Sequence, residues 1–159
     1  MVEIRRFAPG DEKQVSRLIN AIMADEFSAD QAAYPTDDID DIPRSYGGLG
    51  EAFFVATIDG QIVGTVAIKK EDERIALMRR LFVDRKHRKK QIGVKLIERA
   101  VEFCEELGYG EMIFKTTSRM QAAILVCQKM GFVQRAKIEL GPIELFRFAL
   151  AIPNGVKKG

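Results

Sequence analysis

Two groups of residues in this chain have types and spacing suited to chemistry. The first is the run Asp84, Arg85, Lys86, His87, Arg88, Lys89, Lys90, Gln91, Ile92, Gly93, which follows the apolar segment Ile75 to Val83. A strand that ends in a basic loop and then starts a helix brings backbone N–H groups and the positive end of a helix dipole to one point. That combination is an anion site, and the anion expected is a diphosphate. The second group is the pair Cys104 and Cys127. Each sits in an apolar helical stretch, so both are read as free buried thiols rather than as a disulfide. His87 is the only histidine and lies in the basic loop, where it is expected to be exposed and inert. With two scattered cysteines it completes no zinc set, so no metal is expected. Neither G-x-S-x-G nor G-x-x-x-x-G-K-[ST] occurs, which argues against a nucleophile-elbow hydrolase and a P-loop NTPase.

The elements that must position these residues follow from periodicity. Ile75 to Val83 is rich in apolar and β-branched types, interrupted by Arg79 and Arg80, and reads as an interior strand. From Gly93, apolar residues at Val94, Ile97, Val101, Cys104 and Leu107 give helical spacing, with Gly108 as the stop. Glu111 to Thr116 reads as a strand. Ser118 and Gln121 then suggest a capping box for a helix through Ala122, Leu125, Val126 and Lys129. Upstream, Val2 to Phe7 is a short strand. Asp11 with Gln14 is a capping signal for a helix burying Val15, Leu18, Ile19, Ile22, Met23 and Phe27. Residues 28–50 read as irregular, with room for one short helix. Ala52 to Ile58 and Ile62 to Ile68 flank Asp59-Gly60, a hairpin signal, and Phe132 to Leu140 pairs with Ile143 to Leu150 across Gly141-Pro142.

At 159 residues this is one α/β domain over residues 1–150, followed by a short basic tail at 151–159. No apolar run approaches the ~20 residues that span a bilayer. The N-terminus lacks a signal-peptide apolar region, so a cytoplasmic protein without membrane association is expected. Charge is polarised although the net charge is only +2. Residues 79–95 carry eight Lys or Arg against the single acid Asp84, whereas residues 18–43 carry Asp25, Glu26, Asp30, Asp37, Asp38, Asp40 and Asp41 and no Lys or Arg. Opposite fields of this kind suit a protein that joins an anionic carrier to a cationic partner; two solvated surface runs would look the same.

The segment Arg88-Lys89-Lys90-Gln91-Ile92-Gly93, preceded by Leu81-Phe82-Val83, resembles the acyl-CoA signature [RQ]-x-x-G-x-[GA] of the GNAT superfamily of N-acetyltransferases. Downstream, Ala123, Cys127, Lys129, Gly131 and Phe132 resemble the family's A-x-x-x-Y-x-K-x-G-F. The resemblance covers residues 2–150. It implies a single mixed, mostly antiparallel sheet flanked by helices in the order β-α-(α)-β-β-β-α-β-α-β-β. The departures are specific. Gln91 stands at the first glycine, Cys127 at the tyrosine that often serves as general acid, and Leu77 at a frequent glutamate on the central strand.

The resemblance further implies direct acetyl transfer from acetyl-CoA, as co-substrate, to a primary amine on a small molecule or a protein. Main-chain groups of Leu81, Phe82 and Val83 would hold the pantetheine arm. N–H groups from Arg88, Lys89, Lys90, Gln91, Ile92, Gly93 and Val94 would hold the diphosphate. A side chain at Gly93 would obstruct it. Cys127 is the candidate acid. The base is unassigned, with Glu26, Asp41 and Glu73 as the carboxylates to weigh. The acidic segment favours a cationic amine, and a homodimer is compatible with the sequence. Two other readings remain open at this point: an acyl-CoA-binding sensor of the same fold without catalysis, and a nucleic-acid binder using the basic loop.

Overall fold

The computed structural model describes residues 1–27 and 37–153. Asp30, part of the acidic segment, and residues 154–159 of the tail lie outside them. Seven strands form one mixed sheet: β1 (Val2–Arg6), β2 (Ala52–Ile58), β3 (Gln61–Lys70), β4 (Ile75–Val83), β5 (Glu111–Thr117), β6 (Val133–Leu140) and β7 (Ile143–Ala151). Their spatial order is β1-β2-β3-β4-β5-β7-β6, and only β4 and β5 run parallel. Four helices flank the sheet: α1 (Glu12–Glu26), α2 (Ile42–Tyr46), α3 (Ile92–Leu107) and α4 (Gln121–Lys129). This is the expected element order.

Each face of the sheet builds its own core. Phe54, Val63, Val66, Ile68, Met78, Met112 and Phe148 meet α3 and α4 on one face. Phe53, Val55, Ile62, Ala67 and Phe82 meet α1 and α2 on the other. Helix α1 buries Val15, Leu18, Ile19, Ile22 and Met23 as its spacing requires. In α3 the buried stripe is Ile92, Leu96, Ile97, Ala100, Phe103 and Cys104. The helix therefore starts one residue before Gly93, and Leu107 is 46% exposed instead of closing the stripe. Asp59 and Gly60 turn the β2–β3 hairpin with φ of 52° and 80°, the left-handed pair a type I′ turn needs.

Two capping expectations are corrected. The Asp11 carboxylate leaves its helix unbonded and instead holds Arg5 at 2.8 Å and the Ala8 N–H at 2.8 Å, while Gln14 accepts from the Ile62 N–H at 3.0 Å. Ser118 likewise does not cap α4, whose N-cap is Met120; its hydroxyl accepts from the Glu144 N–H. In both cases a tertiary partner outcompetes the local one.

Two features of the sheet create the site. The parallel ladder of β4 and β5 runs from Ile75↔Glu111 to Met78↔Phe114 and then stops. Beyond it β4 continues against β3, and β5 continues against β7, so the two strands part. The parting coincides with a bulge, where Thr65↔Phe82 gives way to Ala67↔Arg79 and Arg80 adopts φ 55°. The second feature is Gly64 on β3. A Cβ there would lie 3.0 Å from Leu96 and 3.3 Å from Ile92, so the missing side chain lets the start of α3 seat against the sheet.

Candidate active site

The strand, loop and helix start anticipated from the sequence meet at the open end of β4. Asp84 closes the strand, and its carboxylate accepts from the Lys86 N–H at 3.0 Å, starting a 3-10 turn over Arg85–His87. The loop is less exposed than its composition suggests, since His87 and Arg88 are half-buried. Arg88 is spent on structure. Its guanidinium grips both oxygens of Glu26 at 2.9 Å, and its Nε donates to the Val83 carbonyl at 3.1 Å. One side chain thus ties the end of α1 to the end of β4.

Lys89 and Gln91 then take left-handed backbone, with φ of 72° and 64°. Gln91 occupies the glycine position and keeps a glycine's conformation, which costs a side-chain-bearing residue about 1–2 kcal/mol. A left-handed residue followed by helical ones turns successive N–H groups toward one concavity, an anion-binding nest. The N–H groups of Ile92, Gly93 and Val94 belong to the first turn of α3 and have no partner within the helix.

This concavity opens into a groove of about 670 Å³ between α3, α4, the end of β4 and the end of α1, where Ile22, Asp25, Glu26 and Phe27 line it. Leu81, Phe82, Val83, Arg88, Lys89, Gln91, Ile92, Gly93 and Val94 all line it. Lys90, expected among them, is not among the lining residues. Sequence reasoning missed the far wall, which comprises Arg119, Gln121, Ala122, Ala123, Leu125, Val126 and Lys129. On that wall Leu125 is 63% exposed, an apolar side chain facing solvent that nothing in the sequence distinguished from a core position. A Cβ added at Gly93 would meet Val126 at 3.5 Å and Val83 at 3.9 Å, so larger side chains there would fill the groove floor. An open slot with N–H groups at one end and Arg85, Lys89 and Lys129 among its walls fits a phosphate-bearing, elongated ligand such as acetyl-CoA.

A smaller cavity of about 310 Å³ occupies the gap between β4 and β5. It is floored by Leu77, Met78, Leu81, Phe82, Ile113, Phe114 and Met120 and edged by Arg79, Arg80 and Lys115. Leu81, Phe82 and Met120 line both spaces, so groove and cavity meet at the parted strands.

Beside the gap lies a buried polar cluster that the sequence did not reveal. Arg80 is 8% exposed, and its guanidinium holds the carboxylate of Asp38, with Nε to oxygen 2.9 Å. The Tyr46 hydroxyl donates to the same carboxylate at 2.5 Å, and the Thr65 hydroxyl donates to the Arg80 carbonyl at 2.8 Å. Burial alone would raise the Asp38 pKa. The hydrogen bonds from Arg80 and Tyr46, with the nearby charges of Arg80 and Arg79, outweigh it and hold the carboxyl below its ordinary range.

The other candidates are placed as follows. Cys127 is fully buried in the core on the α3–α4 face, and burial pushes its thiol up to about 12. It lines neither space, whereas its neighbours Ala123 and Val126 do. Cys104 is a second free buried thiol. Among the carboxylates, Glu26 is paired with Arg88, and Asp41 accepts from the Arg44 N–H as the cap of α2. Glu73 bonds Lys70 before β4 begins, at the end of that strand away from the gap. Of the described acids of residues 18–43, Asp25 and Glu26 line the groove and none lines the gap cavity.

The sequence pattern of the Acetyltransferase (GNAT) family matches residues 17–132. The chain belongs to that family. Human N-acetyltransferase 8 is 33% identical over 101 residues, covering 60% of this chain and 44% of the relative, so the chain spans less than half of that protein's length. Among solved structures, a GNAT-family acetyltransferase from Staphylococcus aureus Mu50 superposes with a TM-score of 0.83 at 19% identity, covering 96% of this chain and 99% of the other. The structure of yncA from Salmonella typhimurium with its cofactor acetyl-CoA gives a TM-score of 0.79 at 19% identity, covering 95% and 94%. Likeness at that identity establishes the fold. Among the described residues, no helix of this GNAT protein is long and apolar enough to cross a membrane.

Proposed function

We propose that this chain transfers an acetyl group from acetyl-CoA to a primary amine by direct attack within a ternary complex. The observation that carries the reading is the shared wall. A long groove ending in an N–H nest and a compact cavity touch at Leu81, Phe82 and Met120, where β4 and β5 part. One space suits a phosphate-bearing donor and the other an acceptor. Acetyl-CoA, when bound, supplies an activated thioester.

The chain's own residues then have separable tasks. N–H groups of Ile92, Gly93 and Val94 bind phosphate at the helix start. Arg88 keeps the loop in place through Glu26. Main-chain groups of Leu81 to Val83, lacking a β5 partner, line the gap where a developing oxyanion needs donors. Each carboxylate weighed as base is paired, capping or remote, so the amine's proton passes to water in the open gap. Catalytic efficiency should accordingly rise with pH up to the acceptor amine's own pKa. Cys127 acts by packing under the groove.

The test is release of the CoA thiol on mixing acetyl-CoA with a panel of amines. Release that depends on the amine, with no burst from acetyl-CoA alone, is expected; a burst would mean an acyl-enzyme. Binding of acetyl-CoA without release by any amine would favour the second reading, a non-catalytic acyl-CoA sensor. The burial of Cys127 and the pairing of Glu26 are the observations on that side.

A further inference from the structure

The charges around the gap cavity have a sign opposite to the one the acidic segment suggested. Lys115 on β5 lies directly across from Arg147 on β7, so the two share a face of the sheet. Leu77 pairs with Ile113 on the parallel side, which puts Arg79, two residues on, on that same face. Three cations on β4, β5 and β7 therefore share one face of the sheet; Arg79 and Lys115 line the cavity, and Arg147 stands across from Lys115. Arg79 and Lys115 are exposed and Arg147 is half-buried. Among the described residues, no Asp or Glu lines the cavity.

Their lack of partners is the second observation. Arg5, Lys69, Lys70, Arg80, Arg88, Arg99 and Lys137 each hold a carboxylate. Among the described residues, Lys115 and Arg147 have no salt bridge. Arg79 lies over the Tyr46 ring at 5.9 Å, and its charge reaches Asp38, which Arg80 already occupies. Cations left unpaired at the edge of an apolar pocket recognise an anionic group on whatever enters it.

We propose that the acceptor is an amine that also carries a carboxylate, an α-amino acid with an apolar side chain in its simplest form. The carboxylate sits on Lys115 and Arg147 with help from Arg79. The apolar group enters between Leu77, Ile113 and Phe114, and the amine faces the parted strands. This rests on the acetyltransferase reading and adds the substrate class.

The experiment compares L-phenylalanine, L-phenylalaninamide and phenethylamine as acceptors, with calorimetric titration of N-acetyl-L-phenylalanine and its amide in parallel. Expressed per unprotonated amine, kcat/KM for the acid should be at least about tenfold above that for the amide, the worth of one charge-assisted hydrogen bond. Lys115→Gln should erase most of that preference by raising KM for the acid, with the acetyl-CoA KM unchanged; Arg147→Gln should do the same if Lys115→Gln fails to fold. An amide or phenethylamine used as well as the acid overturns the proposal and leaves acetyl transfer standing. If neither these three nor the wider amine panel is turned over, the acetyltransferase reading fails by itself. Titration still decides the cation site: tighter binding of N-acetyl-L-phenylalanine than of its amide supports it, and equal or absent binding overturns it.

Discussion

The bulge at Arg80 and the loop from Lys89 to Gln91 both hold side-chain-bearing residues in left-handed backbone at the edge of the cleft, and they are secured in opposite ways. At the bulge, the strained residue itself supplies a buried guanidinium, neutralised by Asp38, while Tyr46 donates to that carboxylate and Thr65 to the Arg80 carbonyl. In the loop, the strained residues make no such bonds, and a neighbour, Arg88, anchors them through a half-exposed pair with Glu26. Strain of this kind persists where surrounding structure over-determines it. The difference separates charge that folds the protein from charge that remains available to a ligand. Arg80 and Arg88 belong to the first kind; Lys89, Lys115 and the first-turn N–H groups of α3 belong to the second.

Breaking the bulge should have the largest effect. Asp38→Ala removes the carboxylate that balances the buried Arg80 guanidinium, which should cost about 3 kcal/mol or more in denaturant unfolding. Because the folded Asp38 carboxyl lies below its unfolded value, its contribution is present above the unfolded carboxylate pKa. It is lost as pH falls through the depressed folded pKa. Asp38→Asn should therefore flatten the acid limb of the stability curve; an unchanged limb would show that the pair is not the acid-labile element.

Next in size is Gly93→Val. Filling the groove floor against Val126 and Val83 should weaken acetyl-CoA by about 30-fold or more, roughly 2 kcal/mol, with the apo protein still folded. Parent-like affinity in that variant would displace the donor from this groove. Cys127→Ala probes a residue on the core side of the same wall. It should destabilise by about 1 kcal/mol through lost packing and lower kcat by much less than the ~10²-fold at the low end of acid catalysis. A larger fall in kcat with acetyl-CoA affinity intact would give the thiol a role in the chemistry.

The smallest effect sharpens the comparison directly. Gln91→Gly relieves the left-handed strain but frees the unfolded chain, so the net gain should be no more than about 1 kcal/mol. The same relief is not available at the bulge, since Arg80→Gly also removes the cation that Asp38 requires. Thermal unfolding of the two variants should move in opposite directions.

Strands, hairpin turns and helix faces were legible because they depend on local period and turn chemistry. The Asp59-Gly60 turn and the α1 stripe are examples. Gly93 and the loop before it could be placed because strand, loop and helix are contiguous. What escaped was tertiary. Asp38 and Arg80 are 42 positions apart, and in the sequence Arg79-Arg80 looks like a polar break in a strand, not a bulge. Ser118 looked like a cap until Glu144, far along the chain, claimed it, and Asp11 until Arg5 on β1 did. Lys115 and Arg147 become neighbours only through strand register, which no local pattern displays.

Calorimetric titration of the intact protein with acetyl-CoA and with S-acetylpantetheine tests the central claim most directly, since the two share the thioester arm and differ in the phosphates. The nest at the start of α3 predicts that acetyl-CoA binds at least about 100-fold more tightly, with the gap narrowing as salt rises. Equal affinities, or acetyl-CoA that binds nowhere and leaves the Tm unmoved, would contradict it.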